Sequence, residues 1–136
     1  MLFQSFDLNL TLPFYSSLLS AGFPSPAEDY VEKSIDLNEL LVRKPASTFM
    51  MRLASSSMIN AGVLHGDVLV IDRSLSPKNQ DLVVVAMDGE LVLRRLVMAG
   101  FEKYLLTENS SSKKARLESE DQIWGVVTGV VRSMKS

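Results

Sequence analysis

The residues most capable of chemistry are a run of hydroxyls, Ala54-Ser55-Ser56-Ser57-Met58-Ile59, placed at the end of a strand-like segment and just before Asn60, Ala61 and Gly62. A serine at a strand end exposes its hydroxyl, and the backbone N–H groups beside it, here those of Ser57 and Met58, can form an oxyanion hole. Such a serine attacks a carbonyl only if a neighbouring base takes its proton. Hydroxyl-rich turns are also common for purely local reasons, so these residues alone leave both readings open. The sole histidine, His65, precedes the Gly66-Asp67 turn, and nothing in its spacing puts it beside Ser57. The lysines Lys33, Lys44, Lys78, Lys103, Lys113, Lys114 and Lys135 fall mostly in expected loops or on exposed faces. Asp67 and Asp72 flank a strand and read as structural, Asp67 as the cap of a turn. Lys113, Lys114 and Arg116 form a small basic patch in a loop, a weak signal for nucleic acid. The chain has no cysteine and no metal-ligand spacing, so disulfides and thiolate metal sites are excluded, and neither metal nor cofactor is expected.

These groups must be held by a chain of 136 residues, the size of one domain, which buries roughly two thirds of its unfolded surface on folding. Fourteen Lys and Arg against 16 Asp and Glu leave no global field to draw it to DNA or an anionic membrane. A role in DNA metabolism would therefore run through protein partners, without direct sequence-specific DNA binding. The N-terminus, Met1-Leu2-Phe3-Gln4-Ser5-Phe6-Asp7, has no basic region ahead of its apolar residues, and Asp7 and Pro13 interrupt them, so a signal peptide is not expected. No stretch approaches the 18 or so apolar residues of a membrane span. The expectation is a soluble, cytoplasmic protein.

Ala21-Gly22-Phe23-Pro24-Ser25-Pro26 marks the first boundary, because prolines at 24 and 26 forbid a regular helix or central strand. Residues 1–26 are expected as an extended arm, whose conformation the apolar residues Leu12, Phe14, Tyr15, Leu18 and Leu19 leave open, and residues 27–136 as the core. Asp36 is placed to cap one short helix through Leu41. From Pro45 onward the pattern is of strands: Thr48–Leu53, Val68–Asp72, Leu82–Met87, Leu91–Met98, Tyr104–Thr107 and Ile123–Val131. Asp88-Gly89 between two of them is a hairpin signal. The fold expected is mainly β, compact, with short, mostly antiparallel strands in partly closed sheets and one short helix. Val126 to Val131 reads as an edge able to pair across a two-fold axis.

The stretch Ala21 to Arg43, the serine turn, Gly66-Asp67-Val68-Leu69-Val70-Ile71-Asp72, the Asp88-to-Leu96 hairpin and Trp124-Gly125-Val126-Val127 resemble, in order and spacing, the UmuD-type proteins of the bacterial DNA-damage response. These belong with LexA among the S24 Ser-Lys self-cleaving peptidases. The resemblance spans about residues 20 to 131. It implies that Ser57, before Met58, is the nucleophile and that Ala21-Gly22 is the cleavage step. It implies further that a lysine of lowered pKa is the base. It also implies stimulation of cleavage by a RecA filament on single-stranded DNA, a dimer, and a UmuC-like, error-prone Y-family polymerase subunit as partner in translesion synthesis.

Two residues depart from that pattern. Where the family has its lysine, Leu91-Val92-Leu93-Arg94-Arg95-Leu96 puts Arg94. A guanidinium has a pKa above about 12, and burial that shifts a lysine by roughly 3–5 would still leave it charged near neutrality. Arg95 faces the other side of the strand by alternation. The family's serine-glycine pair ahead of the nucleophile is Ala54-Ser55 here, and a glycine-only backbone angle at Ser55 would distort the turn. The expectation is a UmuD-like regulatory subunit with impaired self-cleavage. The alternative is a non-cleaving relative acting only by binding, as a heterodimer partner or polymerase-subunit inhibitor; cleavage of its arm in trans by a competent relative stays open. Only 21 residues precede Gly22, fewer than a repressor's helix-turn-helix domain needs.

Overall fold

The computed structural model describes residues 11–15, Leu19 and residues 31–135. The chain divides into two units, Met1–Arg43 and Lys44–Ser136. In the first, β1 (Thr11–Tyr15) pairs antiparallel with β2 (Val31–Asp36), with Thr11 opposite Asp36 and Leu12 opposite Ile35. The short helix α1 (Leu37–Leu41) follows directly. Its cap is the expected one, since an Asp36 carboxylate oxygen accepts the Asn38 N–H at 2.9 Å and so satisfies one of the free donors of the first turn. Of the segment expected as an arm, only β1 and Leu19 are described, and the Ala21-Gly22 step lies outside the described residues.

The second unit is built on one antiparallel sheet of seven strands. They are β3 (Thr48–Arg52), β4 (Val68–Asp72), β5 (Leu82–Met87), β6 (Glu90–Ala99), β7 (Glu102–Leu106), β8 (Lys114–Arg116) and β9 (Ile123–Val131), in the spatial order β3-β4-β9-β5-β6-β7-β8. The turn Asp88-Gly89, both residues at positive φ (51° and 81°), closes the β5–β6 hairpin with Met87 opposite Glu90. This is the two-residue turn whose twist matches the strands it joins. β8 escapes recognition in the sequence because Lys114-Ala115-Arg116 carries no apolar alternation. It forms by pairing with β7, and Lys114 lies over the Tyr104 ring at 4.4 Å.

One expectation needs correction. Residues 126–131 do not form a free edge strand, because β9 is inserted between β4 and β5. Two irregularities carry it across: Trp124 is the extra residue against Val84/Val85, and Thr128 the extra residue against Val70/Ile71. Bulges of this kind bend and twist a strand. Pairing with β5 stops at Val126, so only residues 127–131 keep one side without a β5 partner. Gly125 is required at this crossing, since a Cβ there would stand 2.5 Å from Ile71 Cγ2.

The alternation of β5 fills two cores, one on each face. Val84 packs with Leu53, Met58, Val63, Leu69, Ile71 and Leu93, while Val83 and Val85 pack with Leu96, Leu105, Leu117 and Val126. Each such side chain removed from water contributes about 1.5–3 kcal/mol. Met58, with no exposed surface, ties the serine turn to the first core.

The buried Asp67 does more than cap a turn. It accepts the Leu64 N–H at 2.8 Å, and Arg132 holds both of its oxygens, at 2.6 and 2.5 Å, while donating to the Gly62 carbonyl at 2.8 Å. The end of β9 is thereby fastened to the loop that follows the serine turn. The hydrogen bonds from Arg132, aided by the Leu64 N–H and opposed by burial, lower the Asp67 carboxyl from 3.8 to about 2. Because the folded pKa is the lower one, this contribution is fully present above the unfolded pKa of about 4 and is lost as pH falls through the folded value. Urea midpoints measured at a series of acid pH values should therefore fall between pH 4 and 2 in the native chain, with a flatter limb in Asp67→Asn; identical slopes would contradict the assignment.

Candidate active site

Ser57 sits where the chain leaves β3 and enters a single turn of 3-10 helix, Ile59–Ala61, closed by Gly62 at φ 83°. That angle is open to glycine and strained for other residues. The turn is anchored at both ends: Met58 is buried in the core, and Glu108, beyond the end of β7, donates its N–H to the Ser57 carbonyl at 2.8 Å while its own carbonyl accepts the Asn60 N–H at 2.7 Å. The Glu108 side chain in turn receives Arg95, with Nε at 2.5 Å from Oε2 and Nη2 at 3.2 Å from Oε1. Arg95 thus acts on the opposite side of β6 from Arg94, as its place in the alternation required, and fixes the loop on which Ser57 stands. Glu108 could not be found from the sequence, because its role depends on a loop contact between residues 51 positions apart in the chain.

Ser57 and Arg94 are brought together. Arg94 Nη1 donates to Ser57 Oγ at 3.3 Å and to the Leu93 carbonyl at 2.7 Å. Ser55 supplies the remaining contacts: its hydroxyl donates to Ser57 Oγ at 2.9 Å and accepts the Ser57 N–H at 3.0 Å. The backbone of Ser55 is not at positive φ, the only non-glycine residues so placed among those described being Gln80 and Asp88. The expected distortion from the missing glycine is therefore absent. The side chain, not the backbone, is what Ser55 changes.

The chemistry of this arrangement follows from its donors. Arg94 has no lone pair to offer, and burial lowers its pKa without converting a guanidinium into a base near neutrality. The Ser55 hydroxyl is no more basic than Ser57 itself and already accepts from the Ser57 N–H. Among the described residues, Ser57 thus has two side-chain hydrogen-bond partners, and neither is a base near neutrality. Of the two backbone donors expected to stabilise an oxyanion, that of Ser57 is occupied by Ser55, while that of Met58 has no acceptor among the described residues. Among the described residues, Ser57 has no basic side chain within hydrogen-bond distance, and one of the two backbone donors expected for an oxyanion is engaged.

The remaining sequence candidates lie elsewhere. His65 lines a separate depression with Arg52, Asp67 and Arg132. In the basic patch, Lys114 is over Tyr104, and Arg116 pairs with Glu102 at 3.5 Å. Asp72 accepts from Ser74 Oγ at 2.7 Å, from Ser74 N at 2.8 Å and from Ser47 Oγ at 2.9 Å; these bonds, those from Ser74 foremost, lower its pKa and are structural. No group of three or more metal-binding side chains occurs among the described residues.

Residues 13–128 match the model of the family described as Peptidase S24-like. The chain is 37% identical over 125 residues to Protein ImpA of Salmonella typhimurium, covering 92% of this chain and 86% of ImpA. It is 36% identical to Protein MucA of Escherichia coli, covering 87% of this chain and 82% of MucA. Identity to LexA repressor 1 of Geobacter sulfurreducens is 30%, with 95% of this chain but 64% of the repressor aligned.

Capture of the Ser57 N–H by Ser55 has a direct consequence in solution. In Ser55→Ala, the Ser57 amide proton should exchange with deuterium about five- to tenfold faster, as loss of one hydrogen bond worth about 1–1.4 kcal/mol implies. Amide exchange followed by NMR checks this, with Val83 and Val85 as references for global stability; an unchanged Ser57 rate would contradict the contact.

Proposed function

We propose that this chain, which belongs to the Peptidase S24-like family, is a UmuD-like regulatory subunit of SOS mutagenesis and translesion DNA synthesis whose own arm-cleaving activity is impaired. The observation that carries the reading is the 3.3 Å contact from Arg94 Nη1 to Ser57 Oγ, which in this reading sets a cation where a base is needed. Similarity to ImpA and MucA over most of each chain supports the UmuD-like branch. In this reading the arm, with its Ala21-Gly22 step, is the segment whose presence or removal sets the state of the subunit. A RecA filament on single-stranded DNA favours the engaged arm, and the partner subunit is a UmuC-like polymerase.

Assembly as a homodimer, or as a heterodimer with a UmuD-type chain, belongs to the same proposal. The open side of residues 127–131, with Val130 and Val131 exposed, offers a strand surface for it. A cytoplasmic location beside DNA belongs to the same proposal; no helix among the described residues is long and apolar enough to cross a membrane.

The alternative, a relative that never cleaves and acts only by binding, is favoured by the Ser55–Ser57 contacts. Losing one oxyanion donor alone costs about 10²–10³ in rate, and the loss of the base adds to it. Cleavage of the arm in trans by a competent relative is compatible with both readings.

Intact-mass spectrometry of the native chain, Arg94→Lys and the double variant Arg94→Lys/Ser55→Gly, each with activated RecA filament and separately at alkaline pH, tests the proposal. The native chain should yield no product beginning at Gly22, the single variant a slow one, and the double variant a faster one by about tenfold or more. Cleavage of the purified native chain at Ala21-Gly22 would overturn the claim of impaired self-cleavage.

A further inference from the structure

The groove beside Ser57 has more to bind with than a cleavage site lacking its base would use. It has a volume of about 360 Å³, with Leu53, Leu91 and Leu93 among its walls and Arg94 at one end. Among the described residues, one wall is an open strand edge. The two-residue turn makes Met87 and Glu90 a mutually hydrogen-bonded pair, so residues 92 and 94 also turn their backbone groups toward β5, and Leu91 and Leu93 turn theirs away. β7 does not cover them, since its pairing with β6 begins at Arg95 opposite Leu106. Among the described residues, the only partner on this edge is Arg94 Nη1, which caps the Leu93 carbonyl.

The charge of the groove is equally one-sided. Arg94 is half-buried, and no carboxylate lies within 4.0 Å of it among the described residues; Glu108, which anchors the Ser57 turn, is taken by Arg95. Its Nε and Nη2 have no partner among those residues. A desolvated guanidinium with a free N–H pair matches a carboxylate in bidentate fashion. The Ser57 hydroxyl, whose oxygen accepts from Arg94 and Ser55, has its proton free for the same ligand. At the far end, exposed Glu90 repels an anion, so the groove has a polarity.

We propose that this groove is a receptor for the free C-terminal carboxylate of an extended peptide, which lies along Leu91 and Leu93 in the same direction as β6 and ends on Arg94 and Ser57. A peptide running that way meets the open N–H and C=O of Leu91 and the N–H of Leu93, sets an apolar side chain against exposed Leu91 and brings its terminal charge to the cation. Where a lysine in this place would need to be neutral to act as a base, the permanently charged arginine recognises an acid. This binding role is separable from the cleavage reading: a peptide acid is bound or not bound regardless of whether the chain cuts its own arm.

The probe is the N-acetylated, fluorescent octapeptide of residues Phe14–Ala21, prepared with a free carboxylate and as its amide, and titrated into the full chain by anisotropy. The acid should bind about tenfold or more tightly than the amide, the fold-change expected of a charge-assisted hydrogen-bonded pair. Arg94→Gln should abolish the preference and Arg94→Lys should retain part of it. A second readout needs no variant: with ¹³C in the terminal carboxyl, its pKa in the bound peptide should lie below that of the free peptide. Acetate at the peptide's concentration should leave the peptide bound. Equal affinity of acid and amide, absence of binding by both, a preference that survives Arg94→Gln, an unshifted carboxyl pKa, or displacement by equimolar acetate each overturns the proposal.

Discussion

A hydroxyl whose polar neighbours cannot accept its proton is the constraint around which this site is organised. Ser57 receives hydrogen bonds from Arg94 at 3.3 Å and from Ser55 at 2.9 Å, and its N–H is spent on Ser55. Nucleophilic catalysis needs the reverse polarity, an acceptor beside the serine and free donors around the carbonyl it attacks. Among the described residues, an arginine and a serine stand beside Ser57 where those conditions call for an acceptor and a free donor. On a scaffold of the Peptidase S24-like family, both side chains hydrogen-bonded to the Ser57 hydroxyl oxygen are donors to it.

The scaffold holds this geometry firmly because the groups around Ser57 are anchored by parts of the chain that do no chemistry. Met58 is sunk in one of two cores. Glu108 clasps the turn through its backbone and is itself held by Arg95. Asp67 and Arg132 join the loop beyond the turn to the end of β9. A buried carboxylate paired with an exposed arginine in this way is retained only with good geometry and further hydrogen bonds, which the Leu64 N–H and Gly62 carbonyl supply here. Arg94 is accommodated because its side chain lies at the groove, where part of the guanidinium is in reach of water, and not in either core.

Much of this was legible in the sequence, for reasons that differ by residue. The β5–β6 hairpin was announced by Asp88-Gly89, and the capped helix by Asp36, because both depend on local backbone preferences. β4, β5 and β9 were recognisable as strands because β-branched residues fill both of their faces. The course of β9 between β4 and β5 was not, since its two bulges arise from tertiary pairing and leave no local mark at Trp124 or Thr128. Strand β8 and the clasp at Glu108 were missed on the same ground. Ser57 and Arg94 were paired by resemblance to the family and not by any spacing rule. The meaning of Ser55 came out differently: its backbone is unstrained, and its effect is a hydrogen bond that only the folded turn reveals.

The most direct test of the central claim is the intrinsic reactivity of Ser57 toward a small phosphonofluoridate, which needs an activated serine but no arm in the groove. Peptide-mass mapping after incubation from neutral to alkaline pH should find no adduct at Ser57 in the native chain and an adduct in Arg94→Lys/Ser55→Gly, rising with pH as the lysine loses its proton. An adduct at Ser57 of the native chain, formed as fast as in the double variant, would contradict the account and would require that some other group takes the serine's proton.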